Sequence, residues 1–274
     1  MTGTPPFRFG VVAGGASSST EWFALARATE AAGYDSLLLP DTRFTPAPFA
    51  ALAAAGAVTR RLTVGTWVLA APLHAPAAVA RETATLQMLT DGRFELGVGT
   101  GRPDAAAEAE RLGLSWGTGA DRIRRVLEII DVVRSQVRPP ARILVAGAGP
   151  TILAAAGGVA DTVALALPPT ATVEEVARAA DRVRSAGDPE LALQLSGVGG
   201  RLAPHLVRQG ASVDALADAA GVIGGGAAEM ADRLGELRAR TGVSYLTVAA
   251  ELAATFAPVL PLLRAYDQAP ASPG

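Results

Sequence analysis

The stretch DGRFELGVGTGR, Asp91–Arg102, combines a turn, a strand and a glycine-rich strand end in one short segment. Asp91 and Gly92 predict the turn, and the apolar run Phe94–Val98 predicts a buried strand. The end of this strand carries three glycines at alternate positions, Gly97, Gly99 and Gly101. Missing side chains at a strand end are typical of a place where another group approaches the backbone closely. That group is either a ligand or a tightly packed neighbouring segment, and both interpretations stay open.

Short apolar runs alternate with helical patterns on both sides of this strand. The predicted strands are Phe7–Val12, Ser36–Leu39, Leu62–Leu69, Phe94–Val98, Ile143–Ala146, Thr162–Leu165, Leu191–Leu195 and Tyr245–Val248. Eight strands separated by helices are the number that closes a parallel barrel, whereas a doubly wound sheet needs fewer strands and leaves an edge. We therefore predict an α/β fold, a single (β/α)8 TIM barrel over residues 1–266, and a flexible tail over residues 267–274.

The composition excludes several classes of protein. The 274 residues carry a net charge of -2, contain no lysine, and offer no basic surface for nucleic acid or an anionic membrane. Cysteine is absent, which excludes disulfides and thiolate chemistry, and two histidines without an acidic loop predict no metal site. The start of the chain has no signal-peptide pattern, and no apolar run has the length of a membrane span, so we expect a soluble cytoplasmic protein.

Active sites of such barrels lie at the carboxyl ends of the strands. The residues predicted there are Asp41, Trp67, Val68, Thr100, Gly101, Arg102, Gly147, Ala148, Gly149 and Ala166. Asp41 follows an apolar strand, so its charge must lie in the barrel mouth or cap a helix. The segment AGAGP, Ala146–Pro150, enters a helix whose free backbone N–H groups could hold a phosphate. The alternative for this segment is a plain strand-to-helix turn that needs a positive φ.

Four segments together carry a resemblance to a known family. They are WFALARATEAAGYDSLLLPD (Trp22–Asp41), TRRLTVGTWVLAAPLHAPAAVARETATLQMLTDGRFELGVGTG (Thr59–Gly101), ILVAGAGP (Ile143–Pro150) and GVSYLTV (Gly242–Val248). In this order and spacing, the chain resembles the bacterial luciferase-like flavin and deazaflavin oxidoreductases, particularly the branch that uses coenzyme F420. The resemblance covers nearly everything from Phe7 to Tyr266.

The resemblance implies roles for several residues of the predicted mouth. A cofactor phosphate is expected near Gly147, Ala148 and Gly149. A cis peptide bond is expected at Trp67–Val68, where it would support the back of the cofactor ring, although Trp67 could equally be ordinary core. Asp41 and Ala166 would also face this pocket. The ring would approach the fourth strand at three small residues, Gly99, Thr100 and Gly101.

The chain departs from the family pattern at three positions of the mouth. Relatives commonly carry Asp-His after the second strand, whereas this chain has Asp41 followed by Thr42. Some relatives place a proton-donating Glu where this chain has Arg102, which suits an anionic or carbonyl group instead. His74 stands where relatives usually have Arg, and it is either a proton shuttle or a solvated loop residue. We expect His205 to lie on the surface.

These observations predict an enzyme that transfers hydride from reduced coenzyme F420 to a C=C or C=N bond of a small organic substrate. Its predicted catalytic residues are His74, Arg102 and Asp41. An FMN-dependent monooxygenase of the same fold is the first alternative. A barrel that has lost redox function and serves as a non-redox enzyme or a binding protein is the second. By resemblance we expect a homodimer, with the alanine-rich helix Pro48–Ala57 as a candidate contact surface.

Overall fold

The computed structural model describes residues 5–268 and contains the predicted (β/α)8 barrel. The barrel strands are β1 (Arg8–Val12), β2 (Ser36–Leu39), β3 (Thr63–Thr66), β4 (Phe94–Gly99), β5 (Arg142–Gly147), β6 (Thr162–Leu165), β7 (Glu190–Leu195) and β8 (Val243–Ala249). All neighbouring pairs are parallel, in the order β3-β2-β1-β8-β7-β6-β5-β4, and pairing of β3 with β4 closes the ring. The closed parallel barrel predicted from the sequence is confirmed.

The helices surround the barrel in the expected alternation. They are α1 (Ser19–Ala31), α2 (Pro48–Ala57), α3 (Pro76–Leu89), α4 (Ala105–Arg111), α5 (Gly119–Gln136), α6 (Pro150–Val159), α7 (Val173–Arg184), α8 (Pro204–Arg208), α9 (Ala227–Thr241), α10 (Ala250–Phe256) and α11 (Leu260–Gln268). Thr118 and Thr172 begin α5 and α7 as capping boxes, in which the hydroxyl accepts a backbone N–H that the helix leaves unpaired. Within residues 5–268, no helix is both long and apolar enough to cross a membrane.

The third predicted strand, Leu62–Leu69, is interrupted. It divides into β3 and the two-residue segment Leu69–Ala70, which pairs with β4, and the peptide bond Trp67–Val68 between them is cis, as the resemblance implied. The Thr66 hydroxyl accepts the Gly97 N–H at 2.8 Å and donates to the Gly97 carbonyl at 2.7 Å. A Cβ atom on Gly97 would lie 2.0 Å from the Thr66 carbonyl oxygen. At Gly97 the missing side chain therefore serves close packing between strands.

Two apolar clusters fill the molecule. The larger lies between the strands and the helices, and the smaller lies inside the barrel. The inner cluster consists of Val12, Leu38, Leu144, Ala164, Ala192 and Tyr245, with Trp67, Val68 and Ala146 packed against it toward the carboxyl ends. Because side chains alternate along a strand, the inner positions decide what a ligand at the mouth can touch.

Charged residues close the amino end of the barrel. The Arg8 guanidinium contacts Glu95 at 2.7 Å and Glu190 at 2.6 Å, and it stacks 4.1 Å from the centroid of the Tyr245 ring. Arg142 contacts Glu190 at 3.2 Å. Burial, more than any other cause, raises the pKa of Glu190 above its ordinary value. We call Arg8, Glu95, Arg142 and Glu190 the barrel-end network.

The remaining elements lie outside the eight-strand pattern. A small sheet follows β7 and consists of Gly197–Val198, Arg201–Leu202 and Val222–Ile223. The last helix, α11, extends to Gln268, and its Asp267 accepts the backbone N–H of Phe7 at 2.9 Å. The first two residues of the predicted tail therefore belong to this helix, and residues 269–274 lie outside the described residues.

Candidate active site at the barrel mouth

The predicted site residues all follow or end strands at the carboxyl face of the barrel. Asp41 follows β2, Trp67 and Val68 follow β3, and Ala166 follows β6. The strand β4 ends at Gly99, and β5 ends at Gly147. The mouth residues that are at least partly exposed are Asp41, Trp67, Val68, His74, Thr100, Gly101, Arg102, Ala148, Gly149 and Ala166, whereas Gly99 and Gly147 are buried. The fold thus places the carboxyl ends of five strands, and the residues that follow them, at one face of the barrel.

Asp41 and His74 form a hydrogen-bonded pair. The distance from His74 Nε2 to Asp41 Oδ2 is 2.7 Å, and the same carboxylate oxygen accepts the backbone N–H of Ala70 at 3.2 Å. The side chains are 15% exposed at Asp41 and 25% at His74, so the pair reaches solvent but is largely covered. Sequence reasoning singled out both residues without pairing them. The loop after the broken third strand brings an imidazole to the carboxylate that ends the second.

The geometry of this pair fixes how the imidazole can act. A carboxylate accepts hydrogen bonds, so Nε2 carries the proton that Asp41 receives. The other ring nitrogen, Nδ1, makes no hydrogen bond to the described residues. An Asp-oriented imidazole with one nitrogen open is the arrangement found in general acid and base catalysis. His74 is therefore tethered rather than freely solvated.

Arg102 lies at the exposed rim of the mouth. Its Nε and Nη2 donate to the two oxygens of the Asp104 carboxylate at 3.0 and 3.2 Å, and its Nη1 donates to the Asp41 carbonyl at 3.3 Å. The hydrogen bond from Arg102 is the largest contribution to the lowered pKa of Asp104. Three of the five N–H donors of Arg102 are engaged in this way, so a substrate anion at the rim would share the guanidinium with the Asp104 carboxylate.

Trp67 is anchored inside the mouth by a residue that sequence reasoning missed. Its indole Nε1–H donates to Gln194 Oε1, with 3.1 Å between the two atoms, and its ring stands edge-on to Tyr245 at a centroid distance of 6.4 Å. Trp67 is half-buried and packs against the inner cluster. The only sequence signal for Gln194 is a polar residue in the otherwise apolar run ELALQL of β7.

The glycines at the end of β4 have protein neighbours. A Cβ atom on Gly99 would lie 2.9 Å from the Val68 side chain, and one on Gly101 would lie 2.4 Å from the Trp116 ring. Gly101 also has a φ of 82°, in the region that favours glycine. The packing interpretation therefore accounts for these positions by itself. Trp116, which the sequence did not indicate, covers this strand end and carries Arg122 over its ring at 4.9 Å.

The start of α6 is open. Gly149 is the N-cap residue with a φ of -73°, and no side chain caps the helix or places an acid in its first turn. The alternative of a turn that needs a positive φ is wrong for Gly147, Ala148 and Gly149, none of which has one. A Cβ atom on Gly149 would meet no atom within 4 Å. The first backbone N–H groups of α6 therefore have no side-chain cap, and the exposed position of Gly149 leaves room for an anion beside them.

We expect Gly149→Val to weaken binding of a phosphate-bearing cofactor by about tenfold, or about 1.4 kcal/mol. The added side chain meets no protein atom and adopts an ordinary φ, so it acts by blocking approach to the helix end rather than by strain. Fluorescence titration of wild type and variant measures the difference, and Gly158→Ala later in α6 is the matched control. Equal affinity in a folded variant contradicts a phosphate at this position.

Comparison with known proteins adds a family match. Residues 6–201 match the family model described as luciferase-like monooxygenase. A relative named F420-dependent glucose-6-phosphate dehydrogenase, from Nakamurella multipartita, is 34% identical over 139 residues, which are 47% of this chain and 40% of the relative. The chain thus aligns with less than half the length of this curated relative.

Solved structures match over nearly the whole chain. An F420-dependent secondary alcohol dehydrogenase in complex with an F420-acetone adduct has a TM-score of 0.74 at 16% identity, covering 94% of this chain and 99% of the other. The monooxygenase RslO1 from Streptomyces bottropensis has a TM-score of 0.71 at 19% identity, covering 94% and 98%. At these identities the similarity shows the shared barrel fold.

Proposed function

Because the chain belongs to the luciferase-like monooxygenase family, we propose that it is an oxidoreductase that uses reduced coenzyme F420. Its reaction is hydride transfer to a C=C or C=N bond of a small organic substrate. The names of the glucose-6-phosphate dehydrogenase relative and of the alcohol dehydrogenase neighbour support F420 as the cofactor. The observation that carries the proposal is the Asp41–His74 pair, since reduction of such a bond needs a proton as well as a hydride.

The residues of the mouth fit a cofactor with a flat ring and a phosphate. The open start of α6 at Gly149 offers backbone N–H groups without a competing acid. Trp67 and Val68 offer a half-exposed apolar surface beside the small residues of β4 and β5. We assign the phosphate to Gly147, Ala148 and Gly149. The ring is assigned to Asp41, Trp67, Val68, Gly99, Thr100, Gly101 and Ala166.

The bound cofactor supplies the hydride, and the protein supplies position, a dry surface and a proton. Asp41 accepts the Nε2 proton and orients the imidazole, so the imidazolium form of His74 carries a second proton at Nδ1 and gives it to the substrate atom that does not receive hydride. Trp67, Val68 and Ala146 exclude water from one wall of the mouth. Arg102 contacts an anionic or carbonyl group of the substrate at the rim through the N–H donors that its bonds to Asp104 and to the Asp41 carbonyl leave free.

An FMN-dependent monooxygenase is the second candidate, favoured by the structural similarity to RslO1. Absorbance titration of the purified protein with F420 and with FMN, beside intact-mass analysis of any co-purified small molecule, separates the two. We expect saturable binding of F420. Turnover with reduced FMN and oxygen instead assigns the monooxygenase activity, and no response to either cofactor supports a barrel without redox function.

We also propose that the chain forms a homodimer through α2. This helix presents small residues outward, with Ala50 and Ala57 exposed and Ala53 and Ala54 partly exposed. Small side chains let a symmetry-related helix approach closely. Light scattering at micromolar concentration should give the dimer mass, and Ala50→Glu should shift it toward the monomer. A wild-type monomer contradicts this part of the proposal.

A further inference from the structure

Gln194 lies inside the barrel at the level of the mouth. It pairs in register with Thr247 of β8, and Ala192, two residues earlier on the same face, belongs to the inner cluster. Its neighbours Leu193 and Leu195 belong to the outer cluster. Because side chains alternate along a strand, Gln194 points inward one layer nearer the carboxyl ends than Ala192. Unlike the fully buried Thr247, it is partly exposed.

The hydrogen bond to Trp67 fixes which way the Gln194 amide faces. An indole N–H can only donate, so the atom that faces Trp67 is the carbonyl oxygen Oε1 of Gln194. The amide nitrogen Nε2 and its two N–H groups are therefore directed away from Trp67. Among the described residues, no acceptor for these N–H groups is present. Gln194 thus offers an oriented, partly exposed hydrogen-bond donor at the floor of the mouth.

The surroundings of this donor are uncharged. Its nearest layer contains Trp67, Tyr245, Ala146 and Ala192. The charged residues of the barrel lie elsewhere: the barrel-end network closes the opposite end, and at the rim Asp41 is paired with His74 and Arg102 with Asp104. An anion at the floor would lose its hydration without gaining a countercharge, whereas an uncharged carbonyl oxygen needs only a donor.

We propose that Gln194 is a ligand-binding residue whose amide N–H groups donate to an uncharged carbonyl oxygen of the bound molecule. The inference deepens the proposed function and rests on it for the identity of the site. Two carbonyl sources share this chemistry: the heterocyclic ring of the cofactor and an uncharged carbonyl-bearing substrate. In either case Gln194 has two roles, because its amide oxygen holds Trp67 and its amide N–H groups donate to the ligand. Small alanines beside it leave room for a compact, largely apolar molecule.

The matched variants separate the two roles of Gln194. Gln194→Glu keeps an oxygen for the Trp67 N–H but replaces the donors by a carboxylate oxygen that repels a carbonyl. Gln194→Leu removes both the donor and the acceptor at similar volume. Thr247→Val alters the same layer at a buried hydroxyl that has no hydrogen-bond partner among the described residues, and it serves as the control. Near-UV circular dichroism reports whether the environment of Trp67 is retained.

Each protein is titrated with oxidised F420, with FMN and with the uncharged enone 2-cyclohexenone, alone and in the presence of F420, by tryptophan fluorescence. We expect both Gln194 variants to weaken the binding of a carbonyl-bearing probe by about tenfold, or about 1.4 kcal/mol. We expect Thr247→Val to leave this affinity unchanged. A loss of affinity for F420 and FMN identifies the ring carbonyl as the acceptor. A loss of affinity for the enone alone identifies the substrate carbonyl.

The outcomes distinguish this inference from the proposed function. Equal affinity of wild type and both Gln194 variants for every probe overturns the inference and leaves Gln194 as an anchor for Trp67. If the enone binds in a Gln194-dependent manner and neither F420 nor FMN binds, the proposed cofactor is wrong and the inference about Gln194 stands. A wild-type protein that binds none of the three probes overturns both.

Discussion

Replacing His74 by Ala should lower turnover by about a hundredfold while leaving cofactor affinity unchanged. The imidazole is held by Asp41 at 2.7 Å through Nε2, which leaves Nδ1 to exchange a proton with the substrate. Because the imidazole supplies a proton to the substrate in this scheme, the pH dependence of kcat should also differ between wild type and variant. Steady-state kinetics with reduced F420 and an accepted enone or imine, measured across pH, checks both expectations.

The control for this experiment is the other histidine of the chain. His205 lies on the short helix α8, and its side chain is exposed. Partial burial contributes most to the lowered pKa of His205, followed by the charge of Arg208. His205→Ala should leave kcat unchanged. If His74→Ala also retains full turnover and the same pH profile, the proton comes from water, substrate or Asp41, and His74 only holds the loop.

Asp41→Asn tests the orientation of the imidazole separately from its presence. The amide oxygen of the variant can still accept one hydrogen bond, from the Ala70 N–H or from His74. It lacks the negative charge with which the Asp41 carboxylate accepts both. A turnover loss that approaches that of His74→Ala, and that clearly exceeds the loss of cofactor affinity expected from the contact of Asp41 with the ring, assigns Asp41 to holding the histidine. This comparison uses the split between kcat and binding, which a purely structural role would not produce.

The barrel could be predicted because its signals are local. Each barrel strand is a short, mainly apolar run, and all but the third are continuous in the structure. The turn at Asp91 and Gly92 has the left-handed φ values of 52° and 80° that this dipeptide favours. The small sheet after β7 was missed because its strands have two residues each. A run of that length carries no periodicity.

The site could be predicted only in part, because its contacts join distant residues. Asp41 and His74 were each recognisable, one as a charge at a strand end and the other as a loop histidine. Their contact spans 33 residues and depends on the path of the loop after β3. Trp116 gave no signal at all, since it lies between two helices and acts by covering Gly101.

The barrel-end network shows a signal that sequence reasoning could have used. Four barrel strands begin with a charged residue at their first or second position, in RFGVV, FELGVG, RILVAG and ELALQL. Alternation along each strand places these charges on the inner face, together at one end of a closed barrel. Two arginines and two glutamates at equivalent depth predict a neutral buried network. The observed contacts among them have that composition.

Removing Arg8 from this network should produce the largest loss of stability of any change considered. The Glu95 side chain is 1% exposed and that of Glu190 is 7% exposed, and both depend on the Arg8 guanidinium for their closest charged contact. In Arg8→Ala, the two carboxylates face each other with only the half-exposed Arg142, at 3.8 and 3.2 Å, as a cation. Removing one partner of a buried ion pair costs about 3–5 kcal/mol because the other charge stays buried and uncompensated. We therefore expect the free energy of unfolding to fall by about that amount.

The loss should depend on pH in a defined direction. Burial already raises the pKa of Glu190 in the native protein, and removal of the arginine raises it further. A carboxyl whose folded pKa exceeds its unfolded value contributes stability that is complete below the unfolded pKa and is lost as pH rises through the folded pKa. The difference between wild type and Arg8→Ala should therefore be largest near neutral pH and shrink as pH falls toward the ordinary range of glutamate.

Urea unfolding at neutral and mildly acidic pH measures this difference. Arg124→Ala is the control, because Arg124 makes an exposed pair with Asp121 on α5 whose loss should change stability by about 0.5 kcal/mol or less. The triple variant Arg8→Met, Glu95→Gln, Glu190→Gln removes the charges together and should recover most of the loss, because no unpaired buried charge remains. An Arg8→Ala protein as stable as wild type at neutral pH would mean that Arg142 and Thr162, which donates to Glu190 at 2.8 Å, suffice to hold both carboxylates.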